Sequence, residues 1–135
     1  MNTEITAERI DELLSFLPIF EKGGPETEVE FVGGEKTGDG GFILPYALYS
    51  QAVIDFFERA SNVCWCDFHY LSRNVREMLD NPEAIAHADL EQMKSMLTYC
   101  VRGERFCTGH WLALIQSGTI TALLRRLLVL RDELF

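Results

Sequence analysis

Asp89-Leu-Glu-Gln-Met-Lys-Ser-Met-Leu-Thr-Tyr-Cys-Val-Arg-Gly103 decides how this chain of 135 residues folds. Asp89 stands three residues before Gln92, the spacing at which a cap side chain and a third-position amide satisfy each other's backbone donors. Beyond it Leu90, Met93, Leu97, Cys100 and Val101 recur at the three-to-four-residue period of a helix with one apolar face. Gly103 stops the run. A single amphipathic helix has nothing to bury that face against, so the neighbouring segments must supply partners.

They do so at the same period. Downstream, Thr108 is placed to cap a helix carrying Trp111, Leu112, Leu114 and Ile115, closed by Ser117-Gly118. Thr119 is expected to cap the last helix, with Ile120, Leu123, Leu124, Leu127 and Leu128 inward and Arg125, Arg126 and Asp132 outward. Upstream, Asn81-Pro82 reads as a helix start and Ser72 as the cap of a short helix through Leu79. Residues 46–60 read as a longer helix with Tyr49, Val53, Phe56, Phe57 and Ala60 on one face. Residues 62–70 have no helical period and hold Trp65, Phe68 and Tyr70, so an irregular or extended crossing of the core is expected.

The N-terminal helix runs from about Thr6 to Leu17, with Ile10, Leu13, Leu14 and Leu17 inward, and Pro18 ends it. Gly33–Gly41 holds five glycines in nine residues, flanked by strand-like Val29, Phe31 and Ile43. Lys36-Thr37 invites a phosphate-loop reading, but Glu35 stands where glycine is required and an extended segment follows. The resulting expectation is a mainly α, compact single domain over 1–135, a bundle of five to seven helices. It comprises an N-terminal helix (1–20), a Gly-rich acidic loop or small β-hairpin (21–45, strands near 28–44) and a helical core (46–135).

Charge is the most uneven property. The chain carries −9 overall, and residues 1–41 hold ten acids against three bases. An acidic surface repels phosphate backbones, which argues against direct nucleic-acid binding there. No apolar run is long enough for a membrane span, and the opening Met-Asn-Thr-Glu lacks a basic region followed by an apolar stretch. A cytoplasmic protein is expected. In a reducing compartment its four cysteines are buried thiols or metal ligands rather than disulfides.

Chemistry, if present, concentrates in Tyr99–Trp111. Cys64, Cys66 and His69 together with Cys107 and His110 offer the sulfur and nitrogen ligands zinc accepts, though Cys100 lies on a buried stripe and the spacing is irregular. Cys107 and His110 suggest a thiol nucleophile and base, with Glu104 or Asp67 able to orient the imidazole only through tertiary contact. Arg102 and Arg105 suggest an anion clamp. The structural alternative is a corner in which Arg102, Glu104 and Arg105 pair their own charges and cap the preceding helix. No cofactor is required by any of these readings, zinc excepted.

Leu97-Thr-Tyr-Cys-Val-Arg-Gly-Glu-Arg-Phe-Cys-Thr-Gly-His-Trp111, with Leu123-Leu-Arg-Arg-Leu127, resembles the C-terminal signature of a bacterial family of unknown function. Trp65-Cys-Asp-Phe-His-Tyr70 fits the same pattern. The resemblance covers about residues 46–130 and implies a small helical domain, bacterial or phage-encoded, with no activity attached.

The functional expectation is a non-enzymatic, acidic protein–protein interaction module whose partner has a basic surface. In its specific form it is a DNA-mimic-like or anti-CRISPR-like inhibitor blocking the nucleic-acid-binding surface of a bacterial complex. Glu26, Glu28, Glu30, Glu35 and Asp39 are the candidate contact residues. The alternative is a small enzyme or anion-binding domain centred on Arg102–His110.

Overall fold

The computed structural model describes residues 4–42 and 46–135. The mainly helical single domain with one small antiparallel ribbon is as expected. In order, the elements are α1 (Ala7–Leu14), α2 (Leu17–Lys22), β1 (Val29–Val32), β2 (Tyr46–Tyr49) and α3 (Gln51–Ala60). There follow α4 (Val75–Leu79), α5 (Pro82–Ala86), α6 (Leu90–Gly103), α7 (His110–Gln116) and α8 (Thr119–Leu134). Three short 3-10 turns intervene.

Eight α-helices, among the described residues, exceed the five to seven expected because the N-terminal one divides. Pro18 ends α1 but also sits in the first turn of α2, where its missing N–H has no partner to lose. The break turns Phe16 and Phe20 edge-on against Phe56 of α3, with ring centroids 5.6 and 5.0 Å away.

The hairpin is also displaced. Its strands pair Val29 with Tyr49 through Val32 with Tyr46, so the second strand occupies the start of the segment read as helix. Ser50, not a residue before Tyr46, caps α3 by accepting from the Val53 amide at 3.3 Å. Alternating aromatic and aliphatic residues at 46–49 satisfy both periods, and pairing with β1 decides between them. Ile43, read as strand-like, lies outside the described residues. Between the strands, Thr37–Gly41 makes a tight turn in which Asp39 accepts from the Thr37 hydroxyl and from the Gly41 amide at 3.1 Å. Both bonds hold its carboxyl below the usual range.

α6 is the centre of the fold. Met93, Met96, Leu97 and Cys100 are fully buried against Val53, Phe56 and Phe57 of α3 and Ile120, Leu123, Leu124 and Leu127 of α8. Its start is the capping box read from Asp89 and Gln92, with bonds of 2.8 and 3.0 Å. Leu128, read as inward, is exposed; Leu130 takes the buried place, as a 16-residue helix drifts relative to a strict pattern. Ser72 does not cap α4. That position is taken by Asn74 in a left-handed conformation at φ 55°, which asparagine tolerates. Arg131 to Asp11 (3.1 Å) and Arg125 to Glu21 (3.0 Å) tie α8 to the N-terminal helices at the surface. Among the described residues, no single helix is long and apolar enough to cross a membrane.

Asp89→Ala removes the reciprocal cap of the central helix. A loss of about 1 kcal/mol in urea unfolding is expected, with the same far-ultraviolet spectrum.

Candidate functional site

The Arg102–Trp111 corner follows directly from how α6 ends and α7 begins. The amides of Arg105, Phe106 and Cys107 turn back onto the carbonyls of Arg102 and Gly103 at 3.0–3.2 Å, and the Trp111 indole donates to those of Cys100 and Val101, so backbone and indole satisfy the last carbonyls of α6. No arginine side chain caps them, and Glu104 pairs with neither Arg102 nor Arg105. Both parts of the self-paired corner expected from sequence are thereby corrected.

Glu104 instead reaches across the corner to the start of α7. One carboxylate oxygen accepts from the Trp111 amide (2.8 Å) and the Tyr49 hydroxyl (2.8 Å); the other accepts from the Gly109 amide (2.9 Å). The Tyr49 oxygen in turn accepts from the Leu112 amide at 3.2 Å. His110 donates to the Cys107 carbonyl at 3.1 Å. Every amide of the first turn is thus accounted for, and the negative charge lies at the positive end of the helix dipole. Thr108, the expected cap, has no part in this; Gly109 occupies the cap position at φ 90°, a conformation that favours glycine. Burial, and then the Glu104 carboxylate, push the Tyr49 phenol well above its usual range. Trp111 completes the joint. Its indole lies flat on Phe57 (4.1 Å between centroids, 6° between planes) and donates to the Cys100 carbonyl at 3.0 Å.

This geometry scatters the proposed catalytic group. Glu104 spends its lone pairs on backbone amides and Tyr49, so it is a structural anion rather than a free base. The His110 ring turns away from Cys107, packing edge-on to Tyr99 (5.3 Å) and against Gly103. A Cβ at Gly103 would collide with the imidazole, so the corner needs glycine there for close approach. His110 Nε2 is buried without a hydrogen-bond partner, and burial lowers the imidazole pKa despite the nearby Glu104 charge. Cys107 is exposed, and its sulfur has only the Thr108 carbonyl near it, at 4.0 Å.

The arginines face elsewhere. Arg102 places its guanidinium 5.7 Å from the Tyr70 ring centroid, and its Nε is buried without a partner. Arg102 and Arg105 both line a small cavity of about 150 Å³ with Phe68 and Cys66. His110 lines a different one.

The zinc candidates do not assemble. Among the described residues, no three His, Cys, Asp or Glu side chains are grouped to hold a metal ion. Cys64 and Cys100 are buried in the core, where loss of water raises their thiol pKa values, for Cys100 to about 12. Cys66 contacts the Ser61 and Asn62 carbonyls at 3.6 Å, and His69 is exposed.

One polar cluster was not anticipated. Asp67 accepts from Ser95 Oγ (2.6 Å), Arg73 Nε (2.9 Å) and the His69 amide (2.9 Å), while its own amide donates to Thr98 Oγ1 (2.9 Å). Ser95 and Thr98 are buried polar residues of the core. Loss of water, the largest single influence, raises the Asp67 carboxyl, but bonds from Ser95, the His69 amide and Arg73 together hold it below its usual range. The network fastens residues 66–73 to α6. Two hydroxyl residues at the inward positions of an otherwise apolar helix are the signal that could have found it.

The acidic residues proposed as contacts lie between residues 26 and 39, in and beside the ribbon. Glu26, Glu28, Glu30, Glu35 and Asp39 are all exposed, and none has a basic partner within ion-pair distance among the described residues. Phe31, Phe42, Tyr46 and Leu48 are each 46–57% exposed. The register puts Tyr46 and Leu48 on one face of the ribbon with Glu30, and Phe31 on the opposite face with Ala47 and Tyr49. Phe31 also lies beside Gly109, so the ribbon adjoins the corner.

Fold and site together define a small helical domain with an internally braced corner and an acidic, partly apolar ribbon beside it. The chain belongs to a family of unknown function, DUF6508, whose family model matches residues 5–133. Neither the curated proteins nor the solved structures provide a match.

Two substitutions test the corner. Glu104→Ala strands two amides and a phenol, and a loss of about 3 kcal/mol is expected in chemical denaturation. The second concerns pH. His110 is harder to protonate folded than unfolded, so its contribution is present above the unfolded pKa of about 6.5 and declines as pH falls below it. The melting midpoint should drop from pH 7 to pH 5, and His110→Phe should flatten that slope.

Proposed function

We propose that this protein is a non-enzymatic interaction module whose acidic ribbon docks on a basic surface of a protein partner. The observation that carries the reading is the ribbon itself. Five exposed acids have no ion-pair partner among the described residues, and one of them, Glu30, shares a ribbon face with the half-exposed Tyr46 and Leu48. Unneutralised charge steers association with a basic surface, and exposed apolar side chains give that surface something to bury. Acids kept only for solubility would have no use for Tyr46 and Leu48 beside Glu30.

In its specific form, the partner's basic surface is one that otherwise holds nucleic acid, and the module is an inhibitor acting in the cytoplasm of a bacterial cell. The C-terminal resemblance to a bacterial or phage-encoded domain supports that setting. The absence of a converged Glu104–Cys107–His110 group removes the main support for an enzyme. A second reading survives in narrower form: Arg102 and Arg105, which share a cavity, are suited to an anion, without Glu104 or His110.

Affinity capture from bacterial lysate, with the unsubstituted chain and a Glu26, Glu28, Glu30, Glu35→Gln variant as baits, tests the proposal. A basic protein should be retained by the first bait, lost from the second, and displaced by added duplex DNA. Salt raised from about 0.1 to 0.5 M should release it, since screening shortens the reach of exposed charges. Equal recovery on both baits overturns the ribbon as contact surface, and indifference to DNA overturns the inhibitor form.

A further inference from the structure

Away from the ribbon, α4 to α8 line an open cavity of about 530 Å³, within the size range of small-molecule sites. Its lining carries the polar residues Arg76, Asp80, Tyr99, His110, Ser117 and Thr119. Arg76 presents a guanidinium with no ion pair or hydrogen bond among the described residues, and the half-buried Tyr99 hydroxyl has none either. The Ser117 and Thr119 hydroxyls, 2.7 Å apart, lie on the same lining.

A second cavity of about 270 Å³ shares Pro82, Ile85 and Ala122 with the first and continues along α8. Its free wall is apolar: beyond the shared residues it adds Ala86 and Val129. The two arginines there are already engaged, Arg125 by Glu21 at 3.0 Å and Arg126 by the Ala88 carbonyl at 2.8 Å. The combined groove therefore joins an unpaired guanidinium and a free phenol to an apolar strip of Ile85, Ala86, Ala122 and Val129, with Arg125 and Arg126 engaged at its edge.

We infer that this groove binds an amphipathic carboxylate, with its head at Arg76 and Tyr99 and its chain over Ile85, Ala122 and Val129. The guanidinium fork matches a carboxylate geometrically, and each methylene laid on the apolar wall leaves water. Asp80, on the same lining one turn from Arg76, restricts the head to a single negative charge. That favours a carboxylate over a phosphate monoester, which carries nearly two. The inference stands on residues that the ribbon does not use, so it succeeds or fails independently of the partner-binding reading.

The test is calorimetric titration of the intact chain with decanoate below its micelle concentration, with decanol as the uncharged control. Saturable one-to-one binding of decanoate is expected. Arg76→Gln, an exposed position, should weaken decanoate about tenfold and leave decanol within twofold. Val129→Glu, also exposed, should weaken both by putting charge into the chain's path. Absence of saturable decanoate binding overturns the inference. So does decanoate affinity that ignores Arg76→Gln, or decanol affinity that ignores Val129→Glu.

Discussion

The carboxylate of Glu104 is the one group on which the arrangement of the corner, α7 and the ribbon depends. It satisfies two amides that α7 cannot pair internally and holds the hydroxyl that satisfies a third. Bonds to an ionised acceptor are worth about 1.5–3 kcal/mol each, and here they join pieces of chain 55 residues apart. Without it, the start of α7 would need water where Tyr49 and Trp111 now pack, and the ribbon would lose the anchor that its own Tyr49 makes to the corner. A residue that looks catalytic beside cysteine and histidine is therefore consumed by architecture.

A comparable role falls to Asp67. Residues 62–70 have no regular period, so no ladder of backbone bonds can hold them against α6. Asp67, Ser95 and Thr98 supply those bonds individually, and Trp65 is buried as a result. Phe68 is not drawn in with it and stays 78% exposed, beside the two arginines. In both places an acid accepting several donors replaces secondary structure as the means of fixing a turn.

The sequence was most readable where interactions are local. The capping box at Asp89 and Gln92, the helix start at Asn81-Pro82 and the inward faces of α3, α6 and most of α8 are set by residues within a few positions of one another. The start of α3 was misplaced because Tyr46–Tyr49 suits a strand only once Val29–Val32 is alongside. Thr108 was misassigned as a cap for the complementary reason: the true acceptor is Glu104, and nothing within the corner reveals that Tyr49 joins it. The site candidates suffered most. Glu104, Cys107 and His110 lie within seven residues, yet a tight turn between two helices sends neighbouring side chains in different directions. The exposed acids of the ribbon were legible because exposure requires no partner.

The bond between Tyr49 and Leu112 spans 63 positions of the chain, and it bears on the order in which the molecule assembles. Helices α6 to α8 follow one another through short turns, so their contacts close small loops and form early. The first turn of α7 nevertheless stays incomplete until the strand bearing Tyr49 arrives. Separation of Tyr49 from α7 would expose the Leu112 amide to solvent exchange. The exchange rate of that one amide therefore reports on the contact between the ribbon and α7.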